Sequence, residues 1–384
     1  MLKQTLGLEK QIREFDKPIV IATYFGFQPI RPPKIIDRDF ELVKTWHDHP
    51  HYHAAEKVSL LRTYIEDNLA SLPHPLAIAY KKPIARRKFG THALHLIGSS
   101  SGIAEATLIR ATLSILSEEG HKNLRVDVNC IGDKESIGTY ERELANFLKR
   151  SGGDLPNETK QSIKDDVFNL FRMESPEVIG LRANAPQALT FLSAQSRLYF
   201  KEVLEYIEAL GIEFRIAPEL VGEKNHSSHT IFAIKDSSTE PGETLAVGYR
   251  YSRIGRLFGL RKEIPMVGVS IFPKMVAEGP KIKFYKELPK PKFSLIQLGQ
   301  AAKIKTLTLI ELLRNERIPV HHLIGRDKIG AQLSNAESLR VSYLIIIGQK
   351  EAIDNTATIR NISTRAQDTI SISDLPRYLK NIHL

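Results

Sequence analysis

The apolar positions change rhythm along the chain, and the change marks two parts. In the first part helices and strands are mixed. Asp16 can cap a short apolar stretch that begins near Pro18 and ends at Gly26. Phe27–Ile30 then reads as a strand closed by Pro32 and Pro33. Ala104, Leu108, Ala111 and Ile115 recur on one helical face over 104–118, and Gly120 stops the run. Leu124, Val126 and Val128 alternate with Arg125, Asp127 and Asn129, the pattern of a half-buried strand over 124–130. A helix follows over 140–150, a break at 151–154, and a helical insertion around 154–195. An amphipathic helix over 200–210 ends at Gly211. Strands are expected at 214–216, 230–234 and 266–272, with a polar hairpin loop over 236–242.

The second part has a different pattern. Strands at 293–298, 320–323 and 343–347 alternate with helices at 299–315 and 328–339. A strand at 356–362 and a helix at 373–381 close the chain. Buried apolar strands alternating with helices argue for a small α/β domain with a mainly parallel sheet. Pro280, Pro289 and Pro291 punctuate a Lys- and Pro-rich connection. The expected organisation is a domain over 1–277, a linker over 278–290 and a second domain over 291–384.

Charge sharpens this division. The formal net charge is +10, and residues 281–384 hold 17 Lys and Arg against 9 Asp and Glu, a net of +8. The first 280 residues carry only +2. A basic domain beside a nearly neutral one suggests a polyanion contacted through the C-terminal part. No apolar run approaches membrane-spanning length, and no signal-peptide core is visible, so no membrane partner is expected. One cysteine, Cys130, excludes an intramolecular disulfide and a cysteine-based zinc site, and it fits a reducing cytoplasm.

Several strings, taken in order, identify a family. Tyr24-Phe25-Gly26-Phe27-Gln28-Pro29-Ile30-Arg31-Pro32-Pro33 resembles the first motif of the histidyl-tRNA synthetases, class II enzymes in which this element forms the dimer interface. Ile97–Ser101 with Ala104–Ala106, and Val128–Asp133 with Tyr140, resemble the segments after the second motif. Lys328–Leu333 with Ala336, Ile345–Glu351 and Thr364–Ile370 resemble the family's anticodon-binding domain in order and spacing. The collinear order covers about 350 residues. The resemblance implies a class II antiparallel-sheet domain of α+β class, followed by a small α/β anticodon-binding-like domain. It also implies a homodimer and a tRNA or other structured RNA as partner.

The same resemblance exposes departures where the chemistry would lie. Aminoacyl-adenylate formation brings a carboxylate to the α-phosphate of ATP, so fixed cations and carboxylate-held magnesium are needed. In the second motif, Arg86 and Arg87 remain, but Lys88 stands where a glutamate belongs and the loop is short. His95 falls near another glutamate position. Leu61-Arg62-Thr63-Tyr64 replaces a Leu-Arg-Pro-Glu segment and lacks its acid. In the histidine-specific segment Gly222 takes the arginine position, and His226 and Ser227 replace two tyrosines. Tyr249 stands for a glycine, and Phe272 and Met275 replace the glycine and arginine of the third motif. One preorganised charge-stabilising group is typically worth about 100- to 1000-fold in rate, roughly 3–4 kcal/mol. Two or more missing arginines therefore predict no aminoacylation and no catalytic residues. The vestigial pocket is expected at Arg86, Arg87, Asn225, Thr230, Tyr249 and Arg250. No cofactor is required on this reading; ATP and magnesium enter only if the chain is a ligase with divergent motifs. A regulatory subunit of the ATP phosphoribosyltransferase type ranks third, because that paralogue usually lacks the anticodon-binding domain.

Arg326, Lys328, Gln332, Arg340, Lys350, Arg360, Arg365 and Gln367 are the expected RNA contacts. The cations would meet phosphates, and the amides would meet unstacked bases. His47, His49, His51 and His53 alternate around Pro50 and would share one face of an extended segment, but nothing completes a tetrahedral set, so no metal is expected. Gly98 to Gly102 lacks the lysine and spacing of a phosphate loop and reads as a turn before a helix.

Overall fold

The computed structural model describes residues 14–44, 46, 53–83, 90–153, 155–223, 225–238, 242–272 and 284–382. Arg86, Arg87, Lys88, His47, His49, His51 and Met275 lie outside these residues.

In chain order the N-terminal part contains β1 (Phe15–Asp16), α1 (Lys17–Tyr24), β2 (Gln28–Pro29), α2 (Asp37–Val43), α3 (Ala54–Glu66), β3 (Leu76–Pro83), β4 (Gly90–Ile97), α4 (Ile103–Glu118), β5 (Leu124–Gly132) and α5 (Lys134–Ser151). The expected insertion follows as α6 (Asn157–Asp165) and α7 (Pro176–Arg182), with 3₁₀ turns at Val167–Phe171 and Ala188–Phe191. Then come α8 (Ala194–Ala209), β6 (Phe214–Ile216), β7 (Ser228–Asp236), β8 (Glu243–Arg250) and β9 (Met266–Ile271). The sheet order is β2-β3-β4-β9-β8-β7-β5-β6. It is antiparallel except for the β2–β3 and β5–β6 pairs at its edges.

Strand alternation gives this sheet two different faces. Ala79, Leu94, Leu96, Val126, Phe232 and Val267 pack beneath α1, α4 and α8. Tyr249, Tyr251, Ile231 and Ala233 point the other way, toward α3 and the insertion. Gly120 and Gly211 end α4 and α8 with φ of +98° and +64°, a conformation glycine adopts without a Cβ penalty.

β10 (Phe284–Tyr285) pairs antiparallel with β1, so the described end of the connecting segment is tied to the chain's N-terminal strand. Beyond it lie β11 (Phe293–Gln297), α9 (Gln300–Asn315), β12 (Val320–His322), α10 (Ile329–Ser338), β13 (Tyr343–Ile347), α11 (Gln349–Asp354), β14 (Thr356–Asn361), β15 (Gln367–Ser371) and α12 (Leu375–Asn381). The order is β12-β11-β13-β14-β15. The sheet is not mainly parallel: β11 runs parallel to β12 and β13, while β13–β14 and β14–β15 are antiparallel. The reason is connection length. A parallel crossover needs about a dozen residues or more, and only Gly348, the short α11 and Asn355, at φ +55°, separate β13 from β14.

The two parts share one apolar cluster, in which Ile19, Leu108 and Val203 join Leu295, Leu307 and Leu313. Polar ties reinforce it. Ser114 donates to Glu311 at 2.8 Å, Arg314 pairs with Glu118 at 3.2 Å, and Tyr206 donates to Gln300 at 2.8 Å.

Candidate substrate centre and nucleic-acid interface

The open face of the large sheet brings its polar residues together in the middle. Tyr80 on β3, His95 on β4 and Tyr251 after β8 meet Glu56 and Lys57 from the first turn of α3. His95 sits between two phenols, with Tyr80 Oη at 3.0 Å from one ring nitrogen and Tyr251 Oη at 2.7 Å from the other. Tyr80 donates to Glu56 at 2.7 Å, and Lys82 pairs with the same carboxylate at 2.7 Å. Lys57 lies 3.8 Å from Glu56 and donates to Ser270 on β9 at 3.4 Å.

Aromatic rings fill what remains. Trp46 stacks on His226 at 5.1 Å, and His226 meets Tyr249 at 5.3 Å. Tyr249 meets Tyr251 at 5.7 Å, Tyr251 meets His95 at 5.9 Å, and His95 stacks on Tyr80 at 5.4 Å. Tyr80, His95, His226, Tyr249 and Tyr251 are each at most 1% exposed. Gly268 makes the column possible, because a Cβ there would lie 2.1 Å from His95 Nδ1.

Burial sets the charges. Burial pushes His95 well down, with Lys57 adding to the effect, so its ring is neutral. Burial, Lys57 and Arg172 push His226 down to about 3. Burial alone would raise the Glu56 carboxyl, but Lys57 and Lys82 outweigh it and hold the group well below the usual carboxylate range. Burial and the Glu56 charge push the Tyr80 phenol far up. The centre therefore holds a carboxylate already neutralised by two lysines and two neutral imidazoles.

The expected pocket residues do not converge. Tyr249 is in the centre, where it hydrogen-bonds His226 at 3.1 Å. Arg250, one residue on, faces the opposite side of the sheet. Its guanidinium grips Glu105 of α4 through two 2.9 Å bonds, donates to the Ser99 carbonyl at 2.7 Å and lies over the Tyr199 ring. Burial opposes its charge, but Glu105 more than restores it, and its pKa is raised. Alternation along β8 explains the separation of the two neighbours. Asn225 is exposed on a turn, outside the centre, and Thr230 is buried in the ladder opposite Cys130. Burial pushes the Cys130 thiol up to about 12.

Two other sequence-based positions also move. Leu61–Tyr64 lies mid-helix rather than at the centre. Arg62 turns to Asp39, at 2.9 and 3.0 Å, and to Glu66 at 2.9 Å. The acid of the centre is instead Glu56, nearer the start of α3. Gly222 has φ +66°, and a Cβ there would lie 2.6 Å from Ile231, so the backbone leaves no room for an arginine. A cation does approach this point from the insertion. Arg172 donates to the Gly222 carbonyl and pairs with Asp166 at 2.9 Å and Glu223 at 3.4 Å. Sequence reading missed Glu56, Lys57, Tyr80, Lys82 and Arg172. The available signal was the period-two spacing of Tyr80 and Lys82 in a strand.

Phe272, half-buried at the end of β9, stands 6.5 Å from the His53 ring. His53 caps α3 with φ +51°. Among the described residues no three His, Cys, Asp or Glu side chains cluster to hold a metal. None of the described helices is long and apolar enough to cross a membrane. The turn at 98–102 already holds an acid: Glu202 accepts from Ser101 Oγ at 2.7 Å and from Gly102 N at 3.0 Å.

The expected RNA contacts divide between two ends of the small sheet. Arg326, Lys328 and Lys350 follow the carboxyl ends of β12 and β13. Arg340 precedes β13, and Arg360, opposite Leu344, and Gln367, opposite Arg360, lie at that same far end. Arg365 stands in the adjoining turn at φ +62°. These six cations have no ion-pair partner among the described residues. Gln332 is different. It is 2% exposed, its Oε1 accepts from Gln297 N at 3.0 Å, and its Nε2 donates to the Gln297 and Arg326 carbonyls at 3.0 Å each. It pins β11 to the loop after β12 and has no edge left for a base.

Comparison with known proteins agrees with this architecture. Residues 292–382 match the family model of the anticodon binding domain. The histidine–tRNA ligase of Thermosynechococcus vestitus is 26% identical over 330 residues, 82% of this chain and 76% of that protein. The histidine–tRNA ligase of Bacillus licheniformis is 25% identical over 339 residues, 84% of this chain and 79% of that protein. The crystal structure of the apo histidyl-tRNA synthetase of S. aureus superposes with a TM-score of 0.51 at 22% identity, covering 94% of this chain and 93% of that one, and so shares the fold. A class II synthetase-like domain followed by an anticodon-binding domain is the architecture this chain shares with these proteins, and it resembles the histidine–tRNA ligases over more than four-fifths of its length.

Proposed function

We propose that this protein binds tRNA or another structured RNA through its C-terminal domain and does not aminoacylate it. The observation that carries the second half is the ring column from Trp46 to Tyr80, which occupies the middle of the open face with the protein's own side chains. Arg250 adds to it, since its charge is committed to Glu105 on the far side of the sheet. An ATP α-phosphate needs cations without prior partners, and Lys57, Lys82 and Arg172 each already face a carboxylate. The first half rests on the anticodon binding domain match and on six cations of the small sheet that have no ion-pair partner among the described residues.

Histidine-dependent exchange of pyrophosphate into ATP tests the loss of chemistry, and a rate above background overturns it. Gel-shift titration with tRNA at rising salt tests the binding, and the expected affinity falls steeply with salt. Failure to bind at low salt overturns that half. A ligase with divergent motifs is the second reading. It is favoured by the concentration of Glu56, Lys57, Lys82 and Arg172 near the centre, where a closing movement would be required to free them. The family's dimer, formed through the segment at 24–33, is part of the proposal, and sedimentation checks it.

A further inference from the structure

Tyr80, His95 and Tyr251 do more than fill space, because the position of each proton follows from its partners. A neutral imidazole has one N–H and one bare nitrogen, and the hydrogen-bond network decides which is which. The Glu56 carboxylate is ionised and has no proton to give. Tyr80 Oη stands 2.7 Å from Glu56 Oε1, so the single proton of the phenol lies in that bond. Tyr80 then has only lone pairs for His95 Nε2 at 3.0 Å, and this nitrogen must carry the ring proton. Nδ1 is therefore bare, and Tyr251 Oη donates to it at 2.7 Å. The bonds run one way, from Tyr251 through His95 and Tyr80 to Glu56. Lys57 closes the loop, with its ammonium 3.8 Å from Glu56 and 5.9 Å from the centre of the Tyr251 ring. The three rings are buried, which keeps bulk water from competing as a partner. One end reaches the surface: the Lys82 side chain, 26% exposed, holds Glu56 Oε2 at 2.7 Å.

We propose that this chain of side chains is a directional relay built into the fold, in which the charge on Glu56 sets the tautomer of His95 and the donor role of Tyr251. Glu56 is a positioning residue here, since it acts on His95 through Tyr80. While Glu56 is charged, every proton points toward it. With a neutral donor at that position each bond reverses. Tyr80 then accepts from residue 56 and donates to Nε2, and the ring proton stands on Nδ1 and donates to Tyr251 Oη. All three bonds survive the reversal, whereas a mixed arrangement would set two lone pairs or two protons against each other. Protons balance. Glu56 takes the Tyr80 proton, Tyr80 takes the one from Nε2, Nδ1 takes the one from Tyr251, and Tyr251 regains one from water. Because Lys82 helps to keep Glu56 charged, a change at this surface ammonium is felt at Tyr251, on the far side of His95. The inference is independent of RNA binding and of the lost chemistry.

NMR of the full chain with isotope-labelled histidine tests it, since protonated and bare ring nitrogens differ widely in chemical shift. The His95 signal is the one lost in His95→Gln. The parent is expected to carry its proton on Nε2. In Glu56→Gln the two lysines, which can only donate, take the amide oxygen and leave its N–H facing Tyr80. The ring proton should then move to Nδ1, and the two nitrogen shifts should exchange places. Tyr80→Phe leaves Nε2 without an acceptor and should move the proton in the same way. Tyr251→Phe removes the donor to Nδ1 and should leave the proton on Nε2. A packing role alone would not separate the two tyrosines in this manner. Both phenylalanine variants keep the ring volume, so they decide the matter if Glu56→Gln does not fold. A parent with its proton on Nδ1, or on both nitrogens, overturns the proposal. So does a folded Glu56→Gln or Tyr80→Phe chain that keeps the proton on Nε2, or a Tyr251→Phe chain that loses it.

Discussion

The centre of the large sheet and the ends of the small one hold charged groups in opposite ways. In the centre Lys57 and Lys82 share Glu56, Arg172 has Asp166 and Glu223, and Arg250 has Glu105 on the reverse face. At the ends of the small sheet Arg326, Lys328, Arg340, Lys350, Arg360 and Arg365 have no carboxylate partner among the described residues. A preorganised site for a charged transition state needs cations that wait for substrate. A surface for a polyanion needs cations that stay in water, where released counterions drive binding. The large domain has turned its charges into structure, and the small domain has left them available.

The strongest way to break this contrast is to open the buried pair. Arg250→Met strands Glu105 without its partner and is expected to cost about 3–5 kcal/mol, measured by urea denaturation. Adding Glu105→Leu should recover most of that loss. A single variant that melts like the parent would show that the pair is not structural. Next in size is Gly268→Ala. Its methyl would press on His95, which two tyrosines hold in place, at an expected cost of about 1–3 kcal/mol. His95→Ala in the same chain should relieve the clash, and a lack of coupling in this double-mutant cycle would argue against the ring column. Gln332→Ala should destabilise by about 1–3 kcal/mol through the unpaired Gln297 and Arg326 groups. It should leave the RNA affinity of the folded protein unchanged, and a selective loss of affinity would return Gln332 to the interface.

Acid should act on the packed regions before it acts on the cations. His226 and His322 both fall to about 3 in the folded chain. In the unfolded chain they titrate near 6.5. Between these values the unfolded state binds more protons, so stability is full above about pH 6.5 and falls as pH drops toward 3. The slope is on the order of 1 kcal/mol per pH unit for each ring, and melting followed from pH 7 to pH 4 measures it. A flat profile would sink the assignment of buried neutral rings. The smallest effects are expected at the sheet ends. Arg360→Ala or Arg365→Ala should lower the slope of log affinity against log salt by about one phosphate contact. Comparison with Arg326→Ala and Lys328→Ala shows which end meets RNA, and an unchanged slope in all four would remove RNA from the small domain.

Much of the fold was legible in the order of residues. Periodicity located α4, β5, β9 and the strands and helices from 293 to 347 within a few residues, because their buried faces repeat at 3.6 or 2 positions, but it began α8 at 200 where the helix starts at Ala194. β15 escaped, since Gln367–Thr369 is exposed and carries no apolar alternation. The candidate site was legible only in part. Tyr249, expected in the pocket, lies among the buried rings, but Glu56, Lys57 and Lys82 come from elements whose meeting no local pattern announces.

Sequence by itself determined most element types and the basic tail, because these follow from local side-chain chemistry. Only the tertiary structure decided that Arg250 turns its back on Tyr249, that Gln332 is a brace, and that the cations divide between two sheet ends. The physical reason is the same in each case. A side chain's role depends on which partners burial brings within hydrogen-bond reach, and strand alternation and chain reversal set that across tens or hundreds of residues.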